Sequence, residues 1–137
     1  MKDKLDPKSR KALVQYRLER AYSTLQEADY VAEGNFFVTA MNRLYYAEYY
    51  AASALMLHNE LECATHAGIR RMLSLNFIMT GRLDARYGKT FAILFDNRQA
   101  GDYDDFVFSD RETFDTYRPR AEEFVTEIAK LIREDSD

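Results

Sequence analysis

Apolar residues recur along this chain at i, i+3, i+4 and i+7, and no segment shows the period-two alternation of a strand. Asp6-Pro7 reads as an N-cap followed by proline at the first helical position. From there Val14, Leu18, Ala21, Tyr22, Leu25, Ala28 and Ala32 form one stripe, which predicts a first helix from about Pro7 to Glu33. Gly34 is expected to end it in the left-handed conformation. The next stretch, Asn35 to Asn59, is the most apolar run and carries only Arg43 and Glu48 as charges. One stripe holds Phe37, Ala40, Met41, Leu44, Ala47, Ala51, Ala54, Leu55 and His58, and a second beside it holds Tyr45, Tyr49, Ala52 and Met56. A helix apolar nearly all round is covered on more than one side. It therefore sits at the centre of a bundle or meets a partner, and the expectation is a homodimer through helix 35–59.

Thr65 is a candidate N-cap for a shorter helix from His66 to about Met79, which Thr80-Gly81 stops; Ile69, Met72, Leu73 and Phe77 mark its face. A further helix is predicted from about Leu83 to Ala100, with Leu83, Tyr87, Phe91, Leu94, Phe95 and Arg98 in register. Gly101-Asp102-Tyr103-Asp104-Asp105 reads as an acidic, turn-rich loop. Ser109 and Glu112 have the spacing of a capping box for the last helix. Its face is Phe114, Tyr117, Ala121, Phe124, Val125, Ile128, Leu131 and Ile132, with Pro119 expected to kink or divide it near Tyr117. The fold class is all-α: one domain over residues 1–137, an antiparallel up-and-down bundle of four main helices plus one short helix.

At 137 residues the chain is long enough to bury a core without metal or disulfide staples, and its one cysteine, Cys63, forms no internal bridge. The first residues, MKDKLDPKSRKAL, lack the apolar core of a signal peptide, and the longest apolar run is too polar for a membrane span. A cytoplasmic protein with no membrane association is the expectation. A net charge of −4 argues against coating nucleic acid through bulk electrostatics, though not against a basic cleft. Thirteen of the nineteen cations are arginine, the residue suited to bidentate carboxylate or phosphate contacts.

There is no glycine-rich phosphate loop, C-x-x-C pair or H-E-x-x-H, and Glu48 stands alone on the second helix where a carboxylate metal centre needs paired ligands. No metal site and no cofactor are expected. Arg98 is more informative, because it occupies the apolar stripe at the last predicted turn of its helix. It either bonds Asp102, Asp104 or Asp105 and the helix dipole, or faces a phosphate at the mouth of a cleft. His66 is a first-turn polar residue or a proton-handling group. His58, on the apolar stripe, reads as a structural, hydrogen-bonded histidine. The tyrosines of the second helix can stack bases, but their helical spacing makes them core or interface residues first.

Asn42, Arg43, Tyr45, Tyr46, Ala47, Ala51, Ala52, Ala54 and Leu55, written N-R-x-Y-Y-A-x-x-x-A-A-x-A-L, resemble the second-helix signature of the HEPN domain. Thr65-His66-x-Gly68 and Arg98-x-x-x-Asp102-Tyr103 are similar to segments of its small stand-alone prokaryotic members, and the resemblance spans roughly Leu18 to Ile132. It implies a bundle of four to five helices that dimerises, and in many members a toxin, or partner, of a minimal nucleotidyltransferase. Ribonuclease members carry a histidine four to six residues after an arginine, with two such pairs meeting across a dimer. Here Arg98 has no such histidine: positions 102–105 are Asp102, Tyr103, Asp104 and Asp105. The first expectation is therefore the dimeric partner of a nucleotidyltransferase in a toxin–antitoxin-like pair, touching nucleotide or RNA through Arg43, Arg98, Asp102 and Tyr103. The alternative is a metal-independent ribonuclease using Arg98 with His66 or Tyr103.

Overall fold

The computed structural model describes residues 5–103 and 109–136, and the backbone alone for residues 99–103 and 136. These residues form α1 (Pro7–Glu33), α2 (Phe37–His58), α3 (His66–Leu73) with a π-helical turn (Ser74–Ile78), α4 (Ala85–Tyr103) and α5 (Arg111–Ser136). The described residues are helical without strands, so the architecture is the all-α bundle of four main helices plus a short one. α2 lies at its centre and packs against α1, α5, α4 and α3. The apolar stripes predicted above meet there: Leu25 of α1, Leu44 and Leu55 of α2, Phe91 and Leu94 of α4, and Phe124 and Ile128 of α5 are all buried.

Local chemistry fixes most of the ends. Asp6 caps α1 by accepting from the Ser9 N–H at 2.8 Å, and Thr65 caps α3 by accepting from the Gly68 N–H at 2.9 Å. At the α1–α2 turn the left-handed residue is Asn35 (φ 66°), not Gly34, whose φ is −86°. The Phe36 N–H donates to Val31 O and the Asn35 N–H to Ala32 O, the paired bonds of a Schellman turn with asparagine in the left-handed place. Gly34 serves space instead: a Cβ there would lie 2.8 Å from a carbon of the Phe36 ring.

Several boundaries differ from the sequence reading. α4 continues through Gly101 and Asp102 to Tyr103, so the first three positions of the expected loop are helical, its last two lie outside the described residues, and Arg98 stands inside the helix rather than at its end. Asp110 rather than Ser109 caps α5, because its carboxylate accepts from both the N–H and the hydroxyl of Thr113, at 2.9 and 2.8 Å. The Ser109 hydroxyl is buried and has no hydrogen-bond partner among the described residues. α5 runs undivided past Pro119; an exposed proline removes one backbone bond, and burial of Ala121, Phe124 and Val125 on the other face holds the helix together. The third helix widens to a π-turn where the Asn76 side chain donates to Met72 O and the Met79 N–H reaches back to Ser74 O.

The second stripe of α2 is largely covered by the chain itself. Tyr45, Ala52 and Met56 are buried, and the Tyr45 ring lies 5.7 and 6.0 Å from those of Phe91 and Phe95 on α4. The chain itself thus covers most of this stripe, with α3 and α4 against Tyr45, while Tyr49 stays half-buried.

A bidentate pair, Arg118 Nε to Asp29 Oδ1 at 2.7 Å and Nη2 to Oδ2 at 2.9 Å, ties α5 to α1. Both side chains are partly exposed, which discounts the pair. Arg118→Met is expected to cost about 1 kcal/mol in urea unfolding; no measurable change would make it ornamental.

Candidate functional site

Three elements converge on one aromatic cluster. Paired tyrosines at 45–46 and 49–50 recur one turn apart, so α2 offers a face about twice as wide as a single stripe. The Thr65 cap begins α3 so that His66 is its first residue, and α4 brings Phe91, Phe95 and Arg98 from the other side. The His66 ring stacks on Tyr49 with centroids 4.2 Å apart and planes 16° from parallel. It also lies 5.8 Å from Tyr45 and from Tyr46, edge-on to the latter. The Tyr45 hydroxyl is 2.7 Å from His66 Nδ1.

Arg98, half-buried, holds its guanidinium carbon 6.0 Å from the Tyr45 centroid and 5.9 Å from that of Tyr46, at the outer reach of a cation–π contact. Arg43 lies over the same Tyr46 ring at 5.0 Å and bonds Asn42 Oδ1. The fold thus brings Arg98, His66 and Arg43, candidates from three separate segments, onto Tyr45 and Tyr46. The side chains of Asp102 and Tyr103, and all of Asp104 and Asp105, lie outside the described residues. The other histidine is elsewhere: His58 Nε2 is 3.7 Å from Asp135 Oδ2, which Arg82 also meets at 2.8 Å.

Electrostatics assign the Tyr45–His66 contact. Burial pushes the Tyr45 phenol far above its ordinary value of 10.0, and the Arg98 charge only partly offsets it. Tyr45 therefore keeps its proton at every physiological pH. With neutral imidazole it donates to Nδ1, which puts the ring hydrogen on Nε2 and fixes the tautomer. Tyr49 is also raised, by burial first. The arrangement can hold an anion between guanidinium and imidazole and move a proton at Nε2.

Sequence reasoning passed over two things here. It assigned the tyrosine doublets to core or interface, and only Tyr45 is core; Tyr46, Tyr49 and Tyr50 remain half-buried. It also treated Glu48 as an interruption of an apolar run. Glu48 is fully buried, neither carboxyl oxygen has a hydrogen-bond partner among the described residues, and burial raises its pKa well above 4.5. No sequence signal marks it beyond its place between two buried turns. Among the described residues no group of three or more His, Cys, Asp or Glu side chains is placed to hold a metal ion. No helix among them is long and apolar enough to cross a membrane.

Comparison with known proteins gives this arrangement a context. The chain is 31% identical over 122 residues to the "UPF0332 protein" of Thermotoga maritima, covering 89% of this chain and 92% of that one. It is 30% identical over 121 residues (88% and 90%) to a protein of Methanocaldococcus jannaschii named "Putative toxin MJ0605". A second from that organism, named "Putative toxin MJ0142", is 25% identical over 115 residues (84% and 78%). The sequence model of the HEPN domain matches residues 14–132, from the first buried turn of α1 to the last of α5. With that match spanning all five helices, the chain belongs to the HEPN domain family.

Proposed function

We propose that this is a toxin-type HEPN protein that binds RNA phosphate at Arg98 and His66 and cleaves RNA without a metal ion. The observation that carries this is the meeting of Arg98 and His66 on the Tyr45–Tyr46 pair. It supplies from α3 the histidine that does not follow Arg98 in sequence, and so favours the nuclease alternative over a purely binding role. In the reaction the ribose 2′-oxygen attacks the adjacent phosphorus and loses its proton. The bond from phosphorus to the 5′-oxygen breaks, and that oxygen gains a proton. A cyclic phosphate and a free 5′-hydroxyl result. Arg98 offsets charge on the phosphoryl oxygens, and His66 Nε2 carries one of the protons.

The relatives named as toxins agree with this reading. Its neutralising partner is a minimal nucleotidyltransferase encoded beside it, and a gene with no such neighbour counts against the pairing. Two copies associate along helix 35–59, the contact now confined to its outward residues, such as Phe36 and Val38, both exposed.

The test is incubation of purified protein with total RNA, with and without a chelator. Wild type is expected to cut in both conditions, and Arg98→Ala and His66→Ala to slow cutting by about a hundredfold or more. A folded wild-type sample that leaves RNA intact overturns the proposal.

A further inference from the structure

We propose that Arg20 and Tyr50 form a second nucleotide subsite, holding an unpaired base and its phosphate beside the nucleotide at Arg98; this rests on the reading of Arg98 and His66 as an RNA site. The Arg20 guanidinium carbon lies 4.3 Å from the Tyr50 centroid, the shortest such contact among the described residues. Tyr50 is one helical turn from Tyr46, their rings 6.0 Å apart, and Tyr46 is the ring that Arg43 and Arg98 flank. A continuous line of ring and guanidinium contacts therefore leads from the Arg98 site along α2 to α1. Beside it Arg17 Nη1 is held by the Ser53 hydroxyl at 2.9 Å.

The cations of this face are held by groups other than carboxylates. Arg10, Arg70, Arg82, Arg86, Arg111 and Arg118 each have a carboxylate partner. Arg17, Arg20 and Arg43 have none among the described residues, as is also true of Arg71, Arg120 and Arg133, but the first three rest against tyrosine rings, a hydroxyl and an amide along the one line of contacts that reaches Arg98. Positive charge alternating with aromatic rings is what single-stranded nucleic acid requires: guanidinium groups follow the phosphates, and any unpaired base offers a face to a ring. A duplex keeps its bases stacked and cannot use the rings. The bound strand is therefore unpaired RNA longer than one nucleotide step.

The experiment measures fluorescence anisotropy with labelled 2′-O-methyl oligoadenylates, which cannot be cut through the 2′-oxygen. Wild type is expected to bind the octanucleotide about tenfold or more tighter than the dinucleotide, and tighter than an RNA duplex. Arg20→Ala, a change at an exposed side chain, and Tyr50→Ala are expected to remove most of that gain. Tyr50→Phe keeps it, which separates loss of the ring from loss of the fold. Arg120→Ala removes a comparable arginine–tyrosine contact on α5 and leaves the gain intact. If Arg98→Ala abolishes octanucleotide binding while Arg20→Ala and Tyr50→Ala bind as wild type, the subsite is wrong and the Arg98 site stands. If wild type binds neither oligonucleotide, both readings fall.

Discussion

Glu48→Met is expected to make the protein more stable at neutral pH, by about 1–3 kcal/mol in urea unfolding. Glu48 is fully buried and its carboxyl has no hydrogen-bond partner among the described residues, so folding strips its hydration without replacement. Methionine has the same unbranched reach and no polar atoms, and its adaptable side chain limits overpacking. The pH dependence supplies an independent check. The folded pKa is raised above the ordinary 4.5, so the fold prefers the protonated acid. Its contribution is complete below about pH 4 and is lost as pH rises toward the folded pKa, at up to about 1.4 kcal/mol per pH unit. Glu48→Gln, which cannot ionise, should therefore flatten the stability profile above about pH 5 relative to wild type. Parallel profiles for wild type and Glu48→Gln would show that the carboxyl finds a partner, and would sink the stabilising prediction with it.

Tyr45→Phe should separate site geometry from fold. The phenyl ring keeps its packing against Phe91 and Phe95, while the hydroxyl that meets His66 Nδ1 at 2.7 Å is gone. The expected stability cost is about 1 kcal/mol, the net worth of one hydrogen bond. On the nuclease reading the effect on RNA cleavage is larger, about tenfold to a hundredfold, because His66 loses the bond that fixes its tautomer; positioned proton transfer supplies roughly 10²–10⁴ in all. Tyr45 is thus a positioning residue, and two readouts distinguish that from mere packing. The pH–rate profile should shift, and the ¹⁵N signals of His66 should change from one defined tautomer to a mixture. Unchanged cleavage with unchanged histidine signals would reduce the Tyr45–His66 bond to a structural contact.

These two residues also show where reading the chain stops being enough. Spacing alone determined that Pro7–Glu33 is a helix capped by Asp6, that Thr65 starts α3, and that Phe91, Leu94, Phe95 and Arg98 share one face of α4. Helical periodicity and caps act within a few residues, so the residues themselves specify them. Close competitors blur the detail: Asp110 outbids Ser109 one position away as the α5 cap, and Asn35 takes the left-handed place expected of Gly34.

What crosses between helices is a different matter. The sequence offered two stripes on α2 and left open whether a partner or the chain itself covers the second. Packing of the bundle, with α3 and α4 against Tyr45, buried Tyr45, Ala52 and Met56 and left Tyr49 half-buried. The same packing carried His66 to the aromatic pair that Arg98 meets, and the folded bundle as a whole sealed Glu48 away from water. Local spacing sets which residues share a face of one helix. Which faces meet depends on how all the apolar stripes are buried at once, and so only the tertiary structure assembled the site.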